Sequence, residues 1–205
     1  ILQTWFAGQE FGNALFDILS GEINPSGKLP TSFPVRIEDT PAFKSYPGKN
    51  LQMNYDEKLL IGYRWYEKQS IKPLFCFGHG LSYTKFKYKN LEIKIKDNKE
   101  VSCKFSIKNT GQISGAEIAQ CYLRYTKNLE NEPSKTLQGF CKVNIDAHDE
   151  KNVEIRLTQR NFSYWSIDTK SWQIRDGSYE ILIGSSVENI YLKSSIKLEK
   201  VLEVL

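Results

Sequence analysis

Phe77-Gly78-His79-Gly80-Leu81-Ser82-Tyr83-Thr84 divides this chain into two kinds of sequence. Two glycines flank one histidine, a pattern that predicts a tight backbone path with positive φ at Gly78 and Gly80. Before the stretch stand one helical pattern and a long irregular run. After it, apolar and polar residues alternate almost to the end of the 205 residues.

Downstream of Tyr83 the period is two. Phe86 and Tyr88 share one parity, while Leu91, Ile93 and Ile95 take the other. That slip at Lys89-Asn90 predicts a β-bulge. Further strands are expected over 101–109, 116–126, 136–145, 152–158, 162–167 with 171–174, 178–183 and 190–198. Asn109-Thr110-Gly111, Glu132-Pro133-Ser134 and Asp176-Gly177 are turn signals between them. In the last strand Ile190, Leu192, Ile196 and Leu198 fall on one face. Seven or so short strands at this spacing predict a mainly β chain, built on a β-sandwich of immunoglobulin or fibronectin III type.

Upstream, Phe11, Ala14, Leu15, Ile18 and Leu19 form one apolar stripe, which predicts an amphipathic helix over 9–20. Gly21 is placed to end it in a left-handed cap. Asn24-Pro25-Ser26-Gly27 reads as a turn, and Leu29 to Phe33 as a short extended piece bounded by Pro30 and Pro34. One helix and one short strand cannot bury each other, so residues 1–34 need a partner and read as the end of a larger α/β layer. From Val35 to Phe77 the pattern dissolves. This run is expected to be a wrapping arm, pinned by Tyr63, Trp65 and Tyr66 in a groove between two domains.

Composition narrows the class. Hydrophobic residues make up 40% and aromatics 13%, enough for a core. The net charge is +4, and its excess lies after Ser82, where lysines alternate with apolar residues or acids. Such lysines are solvated strand faces, which argues against a nucleic-acid stripe. No apolar run is long enough to span a bilayer as a helix. Cys76, Cys103, Cys121 and Cys141 show no metal-type spacing. Cys103 and Cys121 share the parity of core positions and read as small core residues, with a disulfide between them as the alternative. Asn161-Phe162-Ser163 fits the glycosylation acceptor pattern.

The search for reacting groups returns few candidates. Glycoside cleavage needs two carboxylates facing one bond, and the acids here are scattered over strands and turns. Glu10 opens a helix beside Gln9 in a Gly-rich loop. An acid favoured there by the helix dipole outweighs a substrate contact. His79 could serve as base or ligand, but a turn histidine bonding backbone carbonyls is the commoner case. His148, in Asp146-Ala147-His148-Asp149-Glu150, reads as solvated. Tyr164, Trp165 and Trp172 could form a sugar platform, although aromatics of this size more often fill a sandwich core or an interface.

These residues carry a resemblance. Trp5-Phe6-Ala7-Gly8-Gln9-Glu10-Phe11-Gly12-Asn13-Ala14, followed by Leu19 to Pro34, resembles the end of the α/β-sandwich domain of glycoside hydrolase family 3. Ile61-Gly62-Tyr63-Arg64-Trp65-Tyr66, then Pro73 to Thr84, resembles that family's approach to its C-terminal fibronectin III-like domain. Lys108-Asn109-Thr110-Gly111, Gly115-Ala116-Glu117, Leu137-Gln138-Gly139-Phe140, Phe162-Ser163-Tyr164-Trp165 and Gly184-Ser185-Ser186 match within the sandwich. The Ile-Gly-Tyr-Arg form is closer to the β-glucosidase branch than to the β-xylosidase branch.

The resemblance implies three segments: 1–34 ends the α/β-sandwich domain, 35–82 is the linker, and 83–205 is the fibronectin III-like sandwich. It implies a parent that hydrolyses β-glucosides with retention, needs no cofactor, and partners this chain with its own N-terminal domains. It favours a secreted, lysosomal or periplasmic setting. The family's nucleophilic Asp and acid/base Glu lie ahead of Trp5, so no residue here inherits either role. No catalytic, cofactor-binding or metal-ligating residue is therefore assigned, and the chain is expected to support structure. Phe11 stands where a small Gly is frequent, and Cys76 replaces a usual Pro. The competing class is a binding or adhesion module without activity, against which the 82 residues before the sandwich argue.

Overall fold

The computed structural model describes residues 1–96, 100–127, 129–202 and 204. Two helices, α1 (Phe11–Ser20) and α2 (Tyr63–Gln69), precede nine strands. These are β1 (Phe86–Lys96), β2 (Glu100–Asn109), β3 (Gly115–Tyr125), β4 (Thr136–Ile145), β5 (Glu150–Thr158), β6 (Ser163–Ser166), β7 (Ser171–Ile174), β8 (Gly177–Gly184) and β9 (Ile190–Leu198). One sheet has the order β1-β2-β5 and the other β4-β3-β8-β9, with β6-β7 as a separate hairpin. Neighbouring strands run antiparallel throughout. The borders lie side by side, β4 along β5 and β1 along β9, so the sandwich leaves few bare edges.

Alternation explains the core. Val101, Cys103, Phe105 and Ile107 of β2 meet Ala119, Cys121 and Leu123 of β3, with Ile155, Leu157, Ile181 and Ile183 around them. On β1 the pairing runs Lys89 with Ser106 and then Glu92 with Lys104, and Asn90 takes φ 58°. This is the bulge expected from the parity slip. β5 alternates buried and solvent-facing residues. By contrast, Ala119 to Leu123 are buried without a break. A strand buried continuously is covered on both faces, and the second cover here is the upstream segment.

That segment corrects two readings. The run from Val35 to Phe77 is not free of regular structure: it holds a 3-10 turn at Ile37–Asp39 and the helix α2. The α2 helix has only seven residues and no side-chain cap. A helix this short depends on tertiary contacts. The Tyr63 ring stacks on Phe77 at 4.6 Å, and Glu67 pairs with Lys135 at 2.8 Å. Residues 24–27 form no turn, and the Asn24 side chain is used elsewhere. Its Oδ1 accepts from Tyr83 N–H (2.8 Å) and the Ser82 hydroxyl (2.9 Å), and its Nδ2 donates to the Ser114 carbonyl.

Helix α1 ends as expected, with Gly21 at φ 84° and its N–H on the Ile18 carbonyl. Its apolar stripe is only partly covered, however, with Leu15 and Ile18 half-buried. No residue of α1 is buried: Leu19 on the stripe is 67% exposed, and Phe16 next to it on the helix surface is 61% exposed. Phe11 at its start is exposed, as are Ile1, Trp5 and Phe6 in the residues before it. Among the described residues, no helix is long and apolar enough to cross a membrane.

Candidate functional site

The Phe77–Thr84 stretch is where the two parts of the molecule lock together. Gly78 has φ 79°, the left-handed region that glycine enters without a Cβ penalty. Its N–H donates to the Leu29 carbonyl, and the Leu29 N–H donates to the His79 carbonyl, both at 2.8 Å. The Phe33 N–H reaches the Phe75 carbonyl at 2.8 Å. The extended piece Leu29 to Phe33 thus runs along Phe75 to His79. Gly80 differs from the sequence expectation, because it is not among the positive-φ glycines. Its need is space: a Cβ there would collide with the Gly27 carbonyl oxygen.

From the sandwich side, Gln120 reaches out of β3. Its Nε2 donates to the carbonyls of Gly78 (3.2 Å) and Ser185 (2.7 Å), and its Oε1 accepts from the Tyr122 hydroxyl. Tyr122, Cys76, Leu182 and Val187 form a second apolar cluster between this sheet and the joint. Burial raises the pKa of the Tyr122 phenol and of the Cys76 thiol. Lys28 lies 3.0 Å from Glu117 and donates to the Gly80 carbonyl at 3.1 Å. Fully buried Asn109 accepts from Thr84 at 2.6 Å and donates to the carbonyls of Ile113 and Ile145. These partners were missed at the sequence level. One signal was available: Glu117 shares the parity of Ala119 and Cys121, and an acid at a core position needs a partner.

The sequence candidates do not converge. Glu10 is exposed at the start of α1 and accepts from Asn13 at 2.6 Å. It borders an open trough of about 600 Å³ lined by Leu2, Ala7, Phe11, Leu15 and Ile18. His79 is anchored by its backbone, while its ring lies 5.4 Å from the Phe75 ring. Among the described residues its side chain makes no hydrogen bond, so the expected bonding to backbone carbonyls is replaced by ring packing. His148 is exposed at φ 63° and meets Gln112 at 3.1 Å.

Trp165 and Trp172 stand opposite each other on one face of the β6-β7 hairpin, so Tyr164 lies on the other face. The Arg160 guanidinium covers the Trp172 ring at 3.1 Å, and Arg175 covers Tyr164 at 3.6 Å. The three rings therefore share no platform. Asn161 is committed too: its Oδ1 accepts from Thr158 and its Nδ2 donates to Gln138. Among the described residues, no group of three His, Cys, Asp or Glu side chains comes together to hold a metal ion.

Comparison with known proteins places this arrangement. Residues 1–83 match the glycosyl hydrolase family 3 C-terminal domain, and residues 117–187 match a fibronectin type III-like domain. The thermostable beta-glucosidase B of Acetivibrio thermocellus is 39% identical over 207 residues, covering 100% of this chain and 27% of that protein. The crystal structure of the Bifidobacterium adolescentis GH3 beta-glucosidase superposes with a TM-score of 0.93 at 30% identity, over 99% of this chain and 30% of that one. The Kluyveromyces marxianus beta-glucosidase gives 0.92 at 34%, over 97% and 24%. The chain thus spans about a quarter of the length of the relatives it matches. With two of the family's domains matched in order and this chain aligned over its whole length, the chain belongs to glycoside hydrolase family 3 and corresponds to a C-terminal part of its relatives.

Proposed function

We propose that this chain serves a β-glucosidase as its non-reacting C-terminal part, shaping and holding the enzyme while other segments supply both carboxylates. Residues 1–34 complete an α/β-sandwich domain, 35–82 wrap between domains, and 83–205 form the fibronectin III-like sandwich. The partners are the N-terminal domains of the same enzyme and, through them, a β-glucoside or oligosaccharide. The reaction of that whole is retaining hydrolysis, in which one carboxylate attacks the sugar and a second, as acid then base, serves the leaving group and water. No residue from 1 to 205 takes either role. Neither nucleic acid nor membrane is a partner.

The observation that carries this reading is the contrast between two faces. Toward the sandwich, the upstream segment is locked by the Lys28–Glu117 and Glu67–Lys135 pairs and by Gln120. Away from it, Phe16, Leu19, Trp5 and Phe6 stand in solvent. An apolar face of this size is a docking surface, and the aligned relatives are longer β-glucosidases.

The test is incubation of the purified chain with a chromogenic β-glucoside. The expected result is no turnover above the blank. Turnover that disappears with Glu10→Gln would overturn the assignment and make Glu10 a catalytic group.

A further inference from the structure

Cys103 of β2 and Cys121 of β3 belong to different sheets and meet in the core between them. Both are free and have no solvent exposure. Both side chains belong to one buried cluster, and the neighbouring Cys103 thiol, and then burial, raise the pKa of Cys121 well above the usual thiol value. Cys103 is flanked by Ile93 and Ile155 on the neighbouring strands, and Cys121 by Gly139 and Ile183. Of the other two cysteines, Cys141 is half-buried and packs at the border of the same core, and Cys76 lies outside it. Cys141 stands opposite Ala119 and faces its own strand's Lys142 carbonyl at 3.8 Å. Cys76 lies on the far side of the second sheet, against Tyr122 and Val187.

We propose that Cys103 and Cys121 are a redox modification site, closed into an inter-sheet disulfide by a small-molecule disulfide while the chain folds. One cysteine thiolate attacks a sulfur of RS–SR, forming a protein–SR mixed disulfide and releasing RS⁻. The second cysteine, as thiolate, attacks the protein sulfur of that intermediate and expels the second RS⁻. The two cysteine protons end on the two RS⁻, so one RS–SR is reduced to two RSH and the protein loses two hydrogens. The reaction belongs to folding because the finished core seals both sulfurs from solvent and disfavours the thiolate of Cys121. The same seal protects the bond afterwards. The link between residues 103 and 121 restricts the unfolded chain and raises stability.

The 205-residue chain, unfolded in reductant, is refolded with glutathione disulfide present and, in parallel, with reduced glutathione alone. Each sample is then alkylated in denaturant and mapped by mass spectrometry. The oxidised sample should show two alkylated cysteines instead of four, and one peptide pair joined through Cys103 and Cys121. Its melting temperature should be higher by roughly 5–10 °C. Chain folded first and then given the same disulfide should retain free Cys103 and Cys121. Four alkylated cysteines after oxidative refolding, or a link through Cys76 or Cys141, overturns the proposal. If refolding fails, chain isolated from an oxidising expression compartment is mapped instead. Free Cys103 and Cys121 in that material overturn it equally.

Discussion

The Lys28 ammonium sits 3.0 Å from the Glu117 carboxylate, with the two side chains only 12% and 7% exposed. The pair joins the segment before the joint to the third strand of the sandwich, and Lys28 also holds the Gly80 carbonyl. Lys28→Met leaves the Glu117 charge nearly buried without its partner. A buried pair broken on one side costs about 3 kcal/mol, whereas exposed pairs cost well under one. Chemical unfolding of the single variant should show the larger loss, and Lys28→Met with Glu117→Leu should recover much of it. A single-variant loss below about 0.5 kcal/mol would mean the pair behaves as a surface contact.

The joint gives a ranked set. Gly78→Ala places a side chain at φ 79° and against the Gln120 carboxamide, with an expected loss of about 2 kcal/mol. Gly80→Ala drives a Cβ into the Gly27 carbonyl, part of the backbone, so its loss should be at least as large, about 2–3 kcal/mol. His79→Ala removes only the ring contact with Phe75, about 0.5–1 kcal/mol. Urea midpoints give the order directly. A His79→Ala loss equal to that of Gly80→Ala would contradict it.

Residues 60–80 cover the outer face of β3 and β8, where Tyr122 and Leu182 are buried together with Val187 from the connection after β8. Cutting the chain before Tyr83 should leave a β-sandwich, because the core between the sheets is intact. That sandwich exposes a fresh apolar face of three large side chains, each worth about 1.5–3 kcal/mol when buried. Residues 83–205 alone should therefore show a β-type circular dichroism spectrum, a lower melting temperature than 1–205 and binding of a hydrophobic dye. An unchanged melting temperature would show that the arm adds nothing.

What was legible follows from which contacts are local. The alternation of Val101, Cys103, Phe105 and Ile107, the bulge at Asn90 and the cap at Gly21 are written within a few residues. The α2 helix was not legible. Its seven residues bury one side chain, Tyr66, and it is held by Phe77 and Lys135 from elsewhere in the chain. Asn24 looked like a turn residue and serves instead as a side-chain bridge to Tyr83 and Ser114. Gly80 was read for its φ and is needed for its missing Cβ. At the candidate site, the motif around Gly78 and His79 marked the place. Gln120 and Glu117, which hold that motif, come from a strand some forty residues away.

The central claim is that the bare face of α1 receives the rest of a β-glucosidase. The direct measurement is a chimera in which this chain replaces the matching C-terminal quarter of a family 3 β-glucosidase, assayed with and without Phe16→Asp and Leu19→Asp. Both positions are open to solvent in the isolated chain, so the paired substitution should leave the melting of residues 1–205 nearly unchanged. In the chimera it should abolish assembly and reduce turnover of a β-glucoside by at least about a hundredfold, because two charges are then buried in an apolar interface. A chimera that keeps full activity and stability with both aspartates would contradict the account.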